Sequence, residues 1–283
     1  MQSPFVTLFL HIDETSDYTD EVAMIVEEII RQRIQGVKNK DGKYVTPAFP
    51  KLIYVLDENN NLTGGKYDYI TKLCIQCNIK RMYPDYISAK IMRENYDGEV
   101  FSPMGCRSFL SPWKKTAEYV HRNNEPESEI GKYKWEGRFN QGVISINLPQ
   151  IGIEADGDMD KFWQMLDERL SICYKALLLR HSLLEGTLSD TSPLHWQDGA
   201  IARLKQGEKI DALLHNGYST LSLGYIGIYE TVQALIGKSH TTPEGEELAL
   251  KIMRKLRNAC DQWKAETGLG FGLYGTPRHT WAA

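Results

Sequence analysis

One cysteine, Cys106, lies in the stretch "SPMGCRSFLSP", which has neither a helical nor a strand pattern. Gly105 before it permits a tight turn, and the guanidinium of Arg107 after it would favour a thiolate. A hydroxyl follows at Ser108. These surroundings make Cys106 a candidate reactive thiol, although an ordinary loop residue without a chemical role fits the same pattern.

Cys74 and Cys77 form a C-x-x-C pair, which raises the question of a metal or redox site. The pair lies inside a helical pattern, and no second C-x-x-C or histidine pair at zinc-like spacing accompanies it. Free cysteines are commonly buried, so we interpret both, together with Cys173 and Cys260 in two amphipathic segments, as core residues. The sequence therefore predicts no metal site in this chain.

Three further segments place polar residues at the ends of apolar runs. By residue type, Asn140 in "RFNQGV" is a turn former at the start of a strand. The tripeptide 275–277, "GTP", reads as a strand that ends in a turn. His195 in "SPLHWQDG" is a lone histidine beside Trp196, for which a structural role is favoured over a catalytic one.

Five segments with helical periodicity surround these residues. We expect Asp17 or Thr19 to cap the first helix and Gly36 to end it, and we expect Thr242 and Pro243 to begin the last one. The five segments are residues 17–37, 66–82, 158–186, 225–237 and 241–268.

Short apolar runs alternate with these helices. The runs are continuous, as in strands that helices cover on both faces. The alternation predicts an α/β architecture with parallel strands, either a barrel or a doubly wound sheet, in one domain. The runs are residues 5–12, 51–56, 142–153, 219–226 and 269–276.

The composition is that of a globular protein. The 283 residues carry a formal net charge of −4, with 42% hydrophobic and 25% charged residues. No basic block suggests nucleic-acid binding, and no apolar run approaches the roughly 20 residues that span a bilayer. The first residues lack a signal-peptide pattern, and the five cysteines do not resemble a secreted disulfide framework. We predict a cytoplasmic protein with reduced thiols.

Six segments in this order resemble the catalytic subunit of the anaerobic (class III) ribonucleoside-triphosphate reductases. The resemblance runs from Ser3 to Pro277, and it implies an α/β fold: a large part of a ten-stranded barrel of two half-barrels with a central finger loop, truncated at both ends. Residues 1–277 would be a partial barrel domain, and 278–283 would be a tail outside the family. The segments are "SPFVTLFLHID", "KRMYPDYISAK", "MGCRSFLSPW", "NQGVISINLPQIG", "SLGYIGIYE" and "GLGFGLYGTP".

The resemblance also assigns site residues. Cys106 matches the finger-loop cysteine, which becomes a thiyl radical and abstracts the 3′-hydrogen of the ribose. The 2′-hydroxyl then leaves as water, and formate supplies the electrons. Asn140 matches an asparagine that hydrogen-bonds near the ribose hydroxyls. Gly275, Thr276 and Pro277 match the start of a loop that binds substrate phosphates through backbone N–H groups at a helix N-terminus.

The implied partners are a ribonucleoside triphosphate substrate, nucleotide effectors, a radical-SAM activating enzyme with an iron–sulfur cluster, and a second copy in a homodimer. The family also uses a glycyl radical and a structural zinc held by two C-x-x-C pairs. Neither motif occurs in this chain, so we expect it to bind no cofactor itself. We expect a middle fragment of the reductase that does not turn over alone.

Two alternatives stay open at this point. The first is another glycyl-radical enzyme, of the formate-lyase or diol-dehydratase type, which shares the barrel but would have no use for a ribose-binding Asn140. The second is a non-catalytic, nucleotide-binding remnant, whose behaviour a Cys106→Ala change would leave unaltered.

Overall fold

The computed structural model describes residues 6–103, 109–135, 137–199 and 201–276. Two predicted site residues, Cys106 and Pro277, lie outside the described residues. The chain divides into two compact units, Met1–Cys106 and Arg107–Ala283. The interpretation of residues 1–277 as one barrel domain, with 278–283 as a tail, stays a prediction.

The first unit is built on a three-stranded parallel sheet in which the strand Lys51–Leu56 lies between Thr7–Leu10 and Asp85–Ser88. The buried side chains of Leu52 and Tyr54 on its middle strand share a core with Ile30 and Ile70 from the two long helices. Its elements in chain order are β1 (Thr7–Leu10), α1 (Thr19–Gln35), β2 (Val37–Lys38), β3 (Tyr44–Val45), β4 (Lys51–Leu56), α2 (Glu58–Asn61), α3 (Asp68–Arg81), β5 (Asp85–Ser88) and α4 (Ala89–Asn95).

The ends of α1 test the predicted caps. Gly36 ends the helix with φ 83°, as predicted for a glycine at this position. The N-terminal prediction was wrong, because Tyr18 occupies the cap position without a side-chain hydrogen bond. Thr19 is already helical, and its hydroxyl donates to the carbonyls of Asp13 and Ser16 in the preceding turn. The Thr19 hydroxyl therefore stabilises the turn before α1 and does not cap the helix.

The second unit contains another three-stranded parallel sheet, in which the strand Thr220–Ile226 lies between Asn140–Asn147 and Gly270–Gly275. Short 3₁₀ turns occur at Glu127–Glu129, Ser189–Thr191 and Asp211–Leu213. The other elements are α5 (Ala117–Arg122), β6 (Asn140–Asn147), α6 (Leu148–Ala155), α7 (Met159–Ser182), α8 (Pro193–Trp196), β7 (Thr220–Ile226), α9 (Ile228–Ile236), α10 (Pro243–Thr267) and β8 (Gly270–Gly275).

The apolar run 142–153 is shorter as a strand than the sequence predicted. Helix α6 begins at Leu148, with Asn147 accepting a hydrogen bond from the Gln150 N–H at 3.4 Å and Pro149 in its first turn. Apolar content alone does not distinguish a strand from a buried helix, whereas proline in the first turn favours the helix. The start of α10 is as predicted, since Thr242 accepts from the Gly245 N–H at 3.2 Å.

The second sheet differs from the prediction of two apolar faces. Leu221 and Leu223 of β7 and Phe271 of β8 project into a core formed with α7 and α10. The alternate residues of the same strands are small or polar, because side chains along a strand point to opposite faces in turn. In the part of the chain that the structure describes, no helix is both long and apolar enough to cross a membrane.

Candidate active site

The face of the second sheet opposite its apolar core carries hydroxyl groups and glycines. Thr220, Ser222 and Gly224 alternate with the core leucines of β7, and all three are buried. Ser145 on β6 faces the same way, since it forms a hydrogen bond across Gly224 with Thr276. We call this surface the polar face of the β6–β7–β8 sheet.

Asn140 lies at the start of β6 and contacts this face. Its Nδ2 donates to the Ser222 hydroxyl, and its Oδ1 accepts from the Gly142 N–H at 2.7 Å. The pairing register shifts between Asn140 and Gly142, so a local irregularity sets the direction of the amide. Asn140 is thus both the turn former that its residue type predicts and a polar group on the sheet surface.

Gly275 and Thr276 end β8 at the same face. Gly275 pairs with Tyr225 in the parallel ladder, and the Thr276 N–H donates to the Tyr225 carbonyl at 3.0 Å. The Thr276 hydroxyl lies 2.7 Å from the Ser145 hydroxyl. The sheet therefore uses the Thr276 N–H, and the phosphate-binding role of Gly275, Thr276 and Pro277 stays a prediction.

The segment that follows residues 104–108, the undescribed stretch that contains Cys106, is attached to the polar face. The Ser111 N–H donates to the Thr220 hydroxyl at 3.1 Å, and the two hydroxyls lie 2.9 Å apart. Gly270 allows this approach, because a Cβ there would come within 2.8 Å of the Ser111 Oγ. The chain around Ser111, five residues after Cys106, is therefore held against the start of β7.

Arg138 holds the same segment from its other side, and the sequence did not predict this role. Its Nε donates to the Tyr218 carbonyl at 2.6 Å, while Nη1 reaches the Ser111 carbonyl at 2.9 Å and Nη2 the Gly217 carbonyl at 2.8 Å. The side chain stacks near Trp113, and no ion pair to it is found among the described residues. Burial lowers the pKa of the guanidinium to about 10, so it stays charged at neutral pH.

The cysteines interpreted as core residues are buried, as predicted. Cys74 and Cys77 lie in α3, and Cys173 and Cys260 lie in α7 and α10. Burial raises the pKa of the Cys74 and Cys260 thiols to about 12. A thiol with such a pKa is almost entirely protonated at neutral pH and is a poor nucleophile.

The histidines fall into two groups. His195 Nδ1 is 2.6 Å from the Ser192 hydroxyl, and its neighbour Trp196 packs edge-on against Phe139. Both contacts fit the structural role that we favoured. His181 and His215 have ring centroids 4.9 Å apart, and the Glu185 carboxylate lies near both, so these residues could hold a metal ion.

Sequence comparisons connect this arrangement to known proteins. The family model for anaerobic ribonucleoside-triphosphate reductase matches residues 1–282. The protein of that name from Escherichia coli is 41% identical over 287 residues, which cover 98% of this chain and 36% of the relative. The phage T4 protein is 37% identical over 98% of this chain and 42% of its own length. The chain thus spans less than half the length of these curated relatives.

Structural comparison gives the same fold. The anaerobic ribonucleotide reductase from Thermotoga maritima with citrate in the active site aligns with a TM-score of 0.56 at 17% identity, covering 99% of this chain and 47% of that one. The same enzyme in complex with dATP and CTP aligns with a TM-score of 0.55 at 17% identity over 96% of this chain and 42% of that one. The mixed α/β architecture with parallel sheets matches these structures, and the chain belongs to the anaerobic ribonucleoside-triphosphate reductase family.

Proposed function

We propose that this chain supplies the ribose-binding surface and the radical-carrying loop of an enzyme that reduces ribonucleoside triphosphates to 2′-deoxyribonucleotides. The observation that carries the proposal is the polar face, where Asn140 and Ser222 are hydrogen-bonded. Ser111, which follows the Cys106 loop, is attached to the same strand that bears Ser222. The hydroxyl groups of a ribose can form hydrogen bonds with Asn140 and Ser222. An apolar substrate would leave the remaining donors of these two side chains unpaired.

Asn140 and Ser222 divide the hydrogen bonding in this proposal. The Asn140 amide already donates to the Ser222 oxygen. A hydroxyl carries one proton and two lone pairs, so Ser222 keeps its own O–H to donate to a ribose hydroxyl. The amide also has a second N–H for the same purpose. The pair therefore orients the sugar through two donors.

Cys106 carries the radical in this proposal. Its thiyl sulfur takes the 3′-hydrogen atom of the ribose, forming an S–H bond and leaving the unpaired electron on C3′. The 2′-hydroxyl departs as water after gaining a proton, and formate supplies the two electrons of the reduction. The hydrogen atom then returns from Cys106 to C3′. Catalysis requires the Cys106 sulfur to be held in this geometry, and a fixed chain segment next to it favours that. The hydrogen bonds of Ser111 with Thr220 and Arg138 fix such a segment.

The remaining assignments are proposals of the same kind. Gly275, Thr276 and Pro277 begin the phosphate-binding loop, and the Thr276 hydroxyl on the polar face supports their placement near a substrate. The glycyl radical, the activating enzyme with its iron–sulfur cluster and S-adenosylmethionine, and the structural zinc act from outside these residues. We also propose that the enzyme binds nucleotide effectors, forms a homodimer, contains the ten-stranded barrel and is located in the cytoplasm. One Thermotoga structure is a complex with dATP and CTP, which supports nucleotide binding.

The test is an anaerobic reductase assay in which this chain is combined with the glycyl-radical part of the reductase, the activating enzyme, formate and a nucleoside triphosphate, because we expect no turnover by the chain alone. Cys106→Ala should abolish deoxynucleotide formation, because alanine cannot form a thiyl radical. Cys77→Ala removes a buried thiol in α3 and should leave the rate unchanged. Product formation by the Cys106→Ala protein would disprove the radical assignment.

Asn140→Ala and Ser222→Ala test the ribose contacts in the same assay. Each should lower kcat/KM by about 5- to 150-fold, the equivalent of about 1–3 kcal/mol for an unpaired polar group. Nucleotide affinity separates the alternatives. A non-catalytic remnant would bind the nucleotide equally well with the Cys106→Ala change and would form no product as wild type or as any variant. An enzyme of the formate-lyase or diol-dehydratase type would instead turn over pyruvate or a diol.

A further inference from the structure

Three side chains that the proposed reaction does not use converge at the end of α7. His181 Nε2 lies 3.7 Å from Glu185 Oε1, and His215 Nε2 lies 3.6 Å from the same oxygen. The ligand atoms of all three lie within 4.8 Å of one another. His181 lies in the last turn of α7 and Glu185 in the turn that follows the helix, while His215 comes from the loop after Asp211–Leu213.

The hydrogen bonds around Gln141 decide which nitrogen of His181 is free. The Gln141 Nε2 donates to the Leu214 carbonyl at 2.9 Å and to the Ser219 hydroxyl at 2.8 Å. A carbonyl can only accept, so this end of the amide is the nitrogen, and its oxygen faces His181 Nδ1 at 2.8 Å. Nδ1 therefore carries the proton in neutral His181, and the lone pair of Nε2 points toward Glu185 and His215.

This is the outer-shell arrangement of a metal-binding histidine. Such histidines almost always donate their second ring nitrogen to a carbonyl, carboxylate or water, which fixes the tautomer and the ring direction. His181 is buried, so the Gln141 hydrogen bond holds its ring in one orientation. A neutral imidazole is the form that binds a metal.

The two chain segments that provide the side chains are attached to each other. The Gly186 N–H, next to Glu185, donates to Asp211 Oδ1 at 2.7 Å. The Ser219 hydroxyl donates to the Leu213 carbonyl at 2.7 Å, close to His215. The backbone near all three side chains is thus held before any ion arrives. Preorganisation of this kind lowers the cost of binding.

We propose that His181, Glu185 and His215 bind one divalent transition-metal ion of the zinc class. Two imidazoles and a carboxylate form a known zinc ligand set that leaves a fourth position for water. Zn–N and Zn–O bonds of about 2.0–2.1 Å place tetrahedral ligand atoms about 3.3–3.4 Å apart. The 3.7 and 3.6 Å distances from the Glu185 oxygen are within a few tenths of an ångström of that spacing, and the two histidine ligand atoms lie within 4.8 Å of each other.

The site is accessible and lies apart from the polar face. His215 also lines an open cavity of about 490 Å³, which gives an ion a path of entry. Glu185 is exposed, so it can move onto the ion without disturbing the core. Gln141 contacts the site, whereas its neighbour Asn140 contacts Ser222 on the opposite side of the strand. A bound ion would tie α7 to the loop whose Gly217 and Tyr218 carbonyls hold Arg138.

The experiment titrates the metal-free 283-residue chain with Zn²⁺ by calorimetry, and with Co²⁺ by visible absorption. Wild type should bind one equivalent. Glu185→Gln and His215→Asn should weaken binding by more than the about 10- to 100-fold that loss of an outer-shell partner costs. Neither change opens a core cavity, because Glu185 is exposed and His215 half-buried.

His121→Asn is the matched control. His121 Nε2 also lies 3.7 Å from a carboxylate oxygen, that of Glu127, but it is not part of the three-residue group. This variant should bind zinc like wild type, and zinc should raise the Tm of both by the same amount while leaving that of Glu185→Gln unchanged. A circular dichroism spectrum of each variant confirms that it is folded.

Three results would overturn the proposal. The first is an absence of binding to the wild-type chain at millimolar zinc. The second is equal affinity in wild type, Glu185→Gln and His215→Asn. The third is a sulfur-to-cobalt charge-transfer band, which would place the ion on a cysteine thiolate instead. One equivalent of ion with nitrogen and oxygen ligands, lost in both variants, would support it.

Discussion

The hydroxyls of Ser145 and Thr276 lie 2.7 Å apart and connect β6 to the end of β8 across the middle strand β7. They meet above Gly224, the β7 residue that pairs with Ser145. A Cβ on Gly224 would lie closer than 3.0 Å to both oxygens, a separation that real Cβ atoms essentially never show. The absence of a side chain at Gly224 thus permits this hydrogen bond on the polar face.

Gly224→Ala should break the Ser145–Thr276 hydrogen bond. The added methyl must displace both hydroxyls and also meets the Val143 side chain at 3.1 Å. We expect the free energy of unfolding to fall by about 1–3 kcal/mol, the usual cost of overpacking. Urea denaturation measures this change. If Thr276 lies near the substrate phosphates, the KM for the nucleotide should rise as well.

Gly272→Ala is the control for that substitution. Gly272 lies on the neighbouring strand, and its added methyl would approach the Thr220 side chain at 3.3 Å, a tight but tolerable contact. We expect this variant to lose less stability than Gly224→Ala. If wild type and Gly224→Ala were equally stable, the Ser145–Thr276 hydrogen bond would not depend on the absence of a side chain at Gly224.

Arg138→Lys should loosen the segment around Ser111. Lysine lacks the planar guanidinium fork, so it cannot reach the Ser111, Gly217 and Tyr218 carbonyls together. Leaving buried carbonyls unpaired should lower the free energy of unfolding by about 1–3 kcal/mol. Hydrogen exchange of the Ser111 N–H, which now donates to Thr220, should become faster.

Arg122→Lys provides the comparison for Arg138. Arg122 pairs with Glu118 at 2.7 Å on the surface of α5, one helical turn away. Exposed pairs of this kind contribute only about 0.3–0.5 kcal/mol. The prediction would be contradicted if Arg138→Lys lowered the free energy of unfolding no more than Arg122→Lys and hydrogen exchange of the Ser111 N–H stayed slow. Arg138 would then not be the residue that holds the segment around Ser111.

Stability below pH 4 should depend on Asp57 in the first unit. The Arg93 guanidinium binds both Asp57 oxygens, at 2.8 and 2.7 Å, and these hydrogen bonds lower the pKa of the carboxyl from 3.8 to about 2. A folded-state pKa below the unfolded one stabilises the protein above pH 3.8. This contribution is lost as the pH falls from about 3.8 to 2.

Arg93→Gln should therefore lower the free energy of unfolding at pH 7 by about 1 kcal/mol, because one pKa unit corresponds to about 1.4 kcal/mol, other groups share the shift, and Arg93 is partly exposed to screening solvent. The difference from wild type should shrink as the pH approaches 2. Arg31→Gln, which removes an exposed pair with Glu27, should change stability by less than about 0.5 kcal/mol. A difference between Arg93→Gln and wild type that did not vary with pH would contradict the role of Asp57.

The long helices could be predicted from the sequence because their signals are local. The apolar spacing in α1, α3, α7, α9 and α10 repeats every turn, and glycines follow several of their ends. Helix α6 was missed because a short apolar run fits a strand equally well. Strand β5 was missed too, since Asp85–Ser88 has only four residues and no apolar run.

The candidate site was only partly predictable. Asn140 was found through the resemblance, while its partner Ser222 is an ordinary residue of an apolar run. Arg138 carries no signal in the sequence, because its partners are main-chain carbonyls that every residue has. His181 and Glu185 have the i, i+4 spacing of a pair on one helix face, but nothing in the sequence brings His215 to them.

The sequence by itself determined the parallel α/β class, the long helices and the family, and it singled out Cys106 as the candidate radical carrier, which stays a prediction. The tertiary structure decided which hydroxyls share a face, which carbonyls Arg138 collects, and which histidines meet a carboxylate. The physical reason is the distance along the chain over which each kind of interaction acts. Periodicity and caps act within a few residues, whereas the polar face depends on the register of β6, β7 and β8, strands that are distant in sequence and brought together only by burial of their other face.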